Sequence, residues 1–214
     1  MTKSGFKGAA KVLLMPDLLR LNLGIFMLHL TQMSLFVVVP GLLVSVLGLE
    51  LASHWVVYLP VVLGSFVLMV PIMIWGEKQG KTRQVKLFAI ALLGMVMCGF
   101  LLGSQVGWMI VALLVFYFIA FNLLEATLPS WVSRVAPLSH RGLALGVYNT
   151  SQALGLFFGG ALGGYVSSQW GAQTVFEVVL LCISAWFLLA LGIKALPRRS
   201  ENSVSDQAPS SVNV

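Results

Sequence analysis

The chain has 214 residues, of which 58% are hydrophobic and only 9% charged, and it carries a formal net charge of +6. A water-soluble domain covers itself with roughly 25% charged residues, so this composition and a mean hydropathy of +0.95 exclude a soluble globular fold and point to lipid as the solvent. The positive charge does not imply nucleic acid, because the basic residues form short runs at the edges of apolar segments, where they mark membrane topology.

The first 20 residues mix lysines with Phe6, Val12, Leu13, Leu14, Leu18 and Leu19, a pattern that suits an interfacial amphipathic helix or a plain linker. They do not read as a cleavable signal, since no small-residue cleavage site follows the first apolar run. A spanning helix needs about 20 largely apolar residues to cross roughly 30 Å of hydrocarbon. Six segments meet that length, at 21–46, 55–75, 85–104, 107–134, 141–167 and 173–195. The sequence therefore predicts an all-α integral membrane bundle over 21–196, preceded by the segment 1–20 and followed by a polar tail over 197–214. That tail is too poor in apolar residues to fold.

The segments differ in character. The first carries His29, Gln32 and Ser34 at membrane depth, and the fourth carries Asn122 and Glu125, so these two should face water or a partner. The third and sixth are almost uniformly apolar and suit peripheral positions in broad contact with lipid. Polar first members and plain third members give a three-plus-three pattern, which implies two inverted three-helix repeats. Cys98 and Cys182 fall inside apolar stretches without a CxxC spacing, so no metal site is expected, and no cofactor is implied.

Orientation follows from Lys and Arg. Lys3, Lys7, Lys11 and Arg20 precede the first helix; Lys78, Lys81, Arg83 and Lys86 lie between the second and third. Arg134 and Arg141 flank the fourth loop, and Lys194, Arg198 and Arg199 follow the sixth helix. All 13 fall on one side, which the positive-inside rule assigns to the cytoplasm together with both termini.

Glu125 is the principal candidate for function, because a carboxylate in hydrocarbon costs a few kcal/mol and must be paired or protonated. That makes it suitable as a proton carrier, or as one end of a fixed hydrogen bond between helices. Asn122 lies three residues earlier, and Tyr148 and Gln152 on the fifth helix fall near its depth when residues are counted from the loop. His29 and Gln32 lie at a comparable depth; His29 either titrates or bonds a backbone carbonyl. On the fifth helix Gly155, Gly159 and Gly163 recur every four residues and form a packing seam, directed inside the bundle or towards another half-transporter.

Three stretches carry a family resemblance. LRLNLGIFMLHLTQMSLFVVVP (19–40), FNLLEATLPSWVSRVAP (121–137) and RGLALGVYNTSQALGLFFGGALGGYV (141–166) resemble the seventh, tenth and eleventh helices of the major facilitator superfamily, particularly its bacterial drug/proton antiporter branch. MIWGEKQGKTR (73–83) resembles that family's cytoplasmic loop motif GxxxDRxGRK, with Glu77 at the acidic position, Lys78 following it, Gly80 at the glycine, Lys81 and Arg83 as later bases, and Met73 in place of the first glycine. The resemblance implies that this loop latches one conformation, a role that competes with that of a solvated topogenic loop. It also implies that the chain corresponds to the C-terminal half of a twelve-helix transporter. The first and fourth helices would then line the cavity, and the second and fifth would meet a second half or a second copy.

The resulting expectation is secondary transport of small organic molecules, most simply proton-coupled efflux across a bacterial inner membrane. Glu125, Asn122, His29, Gln32, Tyr148 and Gln152 would line the substrate and proton cavity. An intramembrane enzyme is the weaker alternative, since neither GxSxG nor HExxH occurs. A non-transporting remnant or scaffold is the other.

Overall fold

The computed structural model describes Val12 and residues 14–192. Six long helices follow one another: α1 (Pro16–Leu47), α2 (Trp55–Lys78), α3 (Thr82–Gly103), α4 (Gly107–Val135), α5 (Arg141–Trp170) and α6 (Ala172–Leu191). Single turns of 3-10 helix at Leu51–Ser53 and Leu138–His140 precede α2 and α5. Five of the six are long and apolar enough to cross a membrane. The other is α5, which spends its surface on glycine, serine, asparagine and glutamine rather than on large apolar side chains.

The first helix starts at Pro16, earlier than the boundary at 21 expected from hydropathy. Proline suits the first position of a helix because its missing N–H would have no partner there. Asp17 in the first turn bonds Arg20 at 3.2 Å, and Leu18 and Leu21 are already buried. Residues 16–20 are thus the opening turns of a spanning helix. The remainder of the expected interfacial helix or linker, apart from Val12, Leu14 and Met15, lies outside the described residues, as does the 197–214 tail.

Local chemistry fixes the other ends. Gly48 takes a left-handed φ of 66° and returns its N–H to the last turn of α1, a closure that glycine adopts without strain. Gly80 has a φ of 67° and turns the chain between α2 and α3. Prolines inside α1, α2 and α4 each remove one helical hydrogen bond, which membrane helices tolerate when neighbours re-satisfy the backbone.

The bundle core lies along α1, α3 and α4. The closest pairing joins α1 to α5; α3 packs on α4 and α6, and α2 on α4. Contacts between α4 and α5 are sparser. The sequence assigned the broadest lipid contact to the third and sixth helices, but their apolar uniformity misleads. Each buries a stripe, Val85, Ala89, Leu93, Val96 and Phe100 on α3 and Val175, Val179, Ile183 and Trp186 on α6. The least buried helices are α2 and α5, where Val67, Leu68, Phe157, Phe158 and Tyr165 stand exposed.

Candidate functional site

The α1–α5 contact is built on absent side chains. A Cβ at Gly155 would strike the Phe26 carbonyl, one at Gly159 the Leu30 backbone, and one at Gly163 the Ser34 backbone. The two backbones therefore touch along three turns, and the Ser34 hydroxyl donates to the Gly159 carbonyl at 3.0 Å. Of the two directions open to the glycine seam, these three residues face inward, onto α1. Gly142, Gly146 and Gly164 have nothing within 4 Å of a Cβ position among the described residues.

This approach brings His29 against Gln152. The Nδ1 of His29 lies 3.1 Å from the Ile25 carbonyl, which can only accept, so Nδ1 carries a hydrogen. In the neutral ring Nε2 is then an acceptor, and it receives the Gln152 side-chain amide at 2.8 Å. The same amide reaches Glu125 Oε1 at 3.4 Å. Glu125 Oε2 is buried with no hydrogen bond and lies 3.7 Å from His29 Nε2. Phe121 closes the ring from the side, its centroid 5.7 Å from that of His29.

Three helices therefore bring a carboxyl, an imidazole and an amide together, each roughly 15–20 Å along its helix from the basic end at 1.5 Å per residue. Glu125 keeps 36% of its side chain exposed whereas His29 keeps 5%, so the acid forms the open side of the cluster. Pro129 follows Glu125 by four residues within α4, which deprives the Glu125 carbonyl of its usual helical donor. The helix is locally weakened at the acid.

Tyr148, one turn below Gln152, is buried with its hydroxyl unpaired and lies within the electrostatic reach of Glu125. Gln32 is half-buried and makes no hydrogen bond with the cluster among the described residues. Asn122 does not join Glu125 as its spacing suggested. It donates to the Ser65 hydroxyl of α2 at 2.9 Å, because three residues leave it rotated by roughly 60° about the helix axis. Ser65 was missed by sequence reading, although it is the lone serine in α2.

The 73–83 loop ties the basic end together. Glu77 pairs with Arg134 of α4 at 3.6 Å, and Arg83 donates to the Leu191 carbonyl at the end of α6 at 2.7 Å. Lys81 lies 5.0 Å over the Trp75 ring, while Lys78 is exposed. With Met73 in place of the motif's first glycine, Gly76 supplies the close approach, since a Cβ there would strike Val85 of α3. Sequence reading also passed over Lys86 as a topogenic charge. It is 1% exposed, and its Nζ lies 3.6 Å from the centroid of Trp131.

Among the described residues no group of three or more His, Cys, Asp or Glu could hold a metal. Long apolar helices surrounding a polar cluster make this a multi-pass, all-α membrane protein. Residues 21–212 match the model of the Major Facilitator Superfamily, and the chain belongs to that family. It is 39% identical over 197 residues to the Inner membrane transport protein YajR of Escherichia coli K12, covering 92% of this chain and 42% of that protein. It is 30% identical over 158 residues to Uncharacterized transporter BU466 of Buchnera aphidicola from Acyrthosiphon pisum, covering 74% of this chain and 40% of that one. A second uncharacterized transporter, from the Buchnera aphidicola of Baizongia pistaciae, is 25% identical over 85% of this chain and 46% of its own length. The chain thus spans less than half the length of these relatives.

Proposed function

We propose that this chain acts as the C-terminal six-helix half of a proton-coupled secondary transporter that exports small organic molecules, as in the drug/proton antiporter branch. The observation that carries the reading is the meeting of Glu125, His29 and Gln152 at membrane depth. Protonation of Glu125 neutralises a charge in a low-dielectric setting, and the neutral acid can donate a hydrogen bond where the carboxylate can only accept. Proton arrival thereby changes what Gln152 and His29 can bond, and substrate entering the open side of the acid meets a different surface.

Two inverted repeats are supported by the pairing scheme. Exchanging α1–α3 with α4–α6 turns the α1–α5 contact into α4–α2 and the α3–α4 contact into α6–α1, and all four occur. The exposed faces of α2 and α5 support a seam for a second six-helix half or a second copy. The gathering of basic residues at one end supports cytoplasmic termini, and the Escherichia coli relative supports an inner-membrane location. In this reading Glu77, Lys78, Gly80, Lys81 and Arg83 form a conformational latch, with the Glu77–Arg134 pair holding α2 to α4.

The test is Glu125→Gln in a complete assembly reconstituted into liposomes under an imposed proton gradient. Gradient-driven substrate movement should fall at least about tenfold with folding retained, equivalent to roughly 1.4 kcal/mol in the coupled step. Undiminished movement would reject the role of the acid.

A further inference from the structure

On the outer face of α2 and α3, at the basic end, lies a groove of about 580 Å³ lined by Pro71, Ile72, Trp75, Gln84, Val85 and Phe88. It shares neither a residue nor a helix with the Glu125 cluster. Its volume lies within the ~300–1,000 Å³ range of ligand pockets, yet Gln84 is its one polar lining side chain, so little in it could orient a water-soluble ligand. Trp75 and Phe88 are each about half exposed along its walls. The rim is charged: Lys81 Nζ sits over the Trp75 ring, and Lys78 occupies the last turn of α2. The nearby acid, Glu77, is engaged by Arg134, and no salt bridge engages Lys78 or Lys81 among the described residues.

We propose that this groove binds an anionic phospholipid, with an acyl chain along Pro71, Ile72, Val85 and Phe88 and the phosphate on Lys81 and Lys78. Three observations select that occupant. The walls are apolar, with Trp75 and Phe88 about half exposed along them, which suits an acyl chain. The rim carries positive charge not offset by the neighbouring acid, which suits an anionic headgroup. An indole between the two regions is the side chain that membranes favour at the boundary of hydrocarbon and headgroup. A second copy of the chain is disfavoured, because a two-fold axis through the groove would bring the same lysines face to face.

The full 214-residue chain, purified in detergent and mixed with equal amounts of phosphatidylglycerol and phosphatidylethanolamine, should retain phosphatidylglycerol at least about fivefold more by native mass spectrometry. Lys78→Gln with Lys81→Gln should bring the two lipids to parity. Ile72→Trp, which fills the groove and leaves both charges, should lower retention of both lipids, with unchanged thermal unfolding certifying the fold of each variant. Equal preference in wild type and the lysine variant would overturn the proposal. So would retention indifferent to Ile72→Trp, which would mean headgroups adsorbed on the loop alone, or a lipid-free dimer abolished by that substitution, which would make a second copy the occupant.

Discussion

The two nitrogens of His29 do different work, and that division sets what the cluster can detect. Nδ1 is committed to the Ile25 carbonyl, so only Nε2 can exchange partners. If the ring gains a proton, Nε2 becomes a donor and Gln152 must rotate its amide to offer oxygen, or Glu125 Oε2 must close from 3.7 Å. Substituting His29→Leu removes both options, and gradient-driven transport by a complete assembly should drop about tenfold in the liposome assay. Lys86 offers a separate case. A buried cation without a hydrogen-bond partner is costly, and replacing such charges with well-packed apolar residues is often neutral or stabilising. Lys86→Met should therefore leave thermal unfolding unchanged or raise its midpoint, whereas Trp131→Ala, which empties a large buried site, should cost about 3–5 kcal/mol. At this scale the sequence was partly legible. Counting from the charged loops placed Glu125, Gln152 and His29 at one level, because helical rise is uniform. It did not pair Asn122 with Ser65 or Lys86 with Trp131, since those contacts depend on how helices are rotated, which depth does not encode.

Among the elements, α5 shows how one residue type serves two surfaces. Gly155, Gly159 and Gly163 are filled by α1 backbone, while Gly142, Gly146 and Gly164 meet nothing among the described residues. A side chain at Gly159 must displace backbone, so Gly159→Leu should destabilise the bundle by about 2 kcal/mol or more, read as a lower unfolding temperature in detergent. Gly146→Leu should leave the isolated chain unaffected, and if α5 lies on the seam it should weaken association with the other half in co-purification. The four-residue spacing made a close helix contact legible, but the same spacing continues onto the outer face, so it could not identify the partner. Five of the helices were legible from apolar length alone, whereas α5, rich in glycine and polar residues, falls short of that measure. The start of α1 was not, because Asp17 and Arg20 look like solvent residues until their bond with each other is seen.

At the level of the whole molecule, the described Lys and Arg residues gather at one end, where Glu77–Arg134 and Arg83–Leu191 tie four helices together. Cysteines introduced at Lys78 and Ser139 should react with a membrane-impermeant reagent from one side only, and cysteines at Ser53 and Gln105 from the other. Labelling of all four from one side would rule out this topology. The clustering of Lys and Arg in alternate loops was legible in the sequence alone. The exposure of α2 was hidden from it, because an apolar helix facing lipid and one facing a protein partner have the same composition.

The backbone contact between α1 and α5 has a mechanical consequence. With glycine on the α5 side that helix has no side-chain rotamers to rearrange along the contact, so α1 and α5 are expected to move as one pair. Contacts between α4 and α5 are sparse by comparison, and the Glu125–Gln152 bond spans them. Under the proposed proton coupling, a charge change at the acid would act on this sparsely packed joint and move α4 relative to the α1–α5 pair.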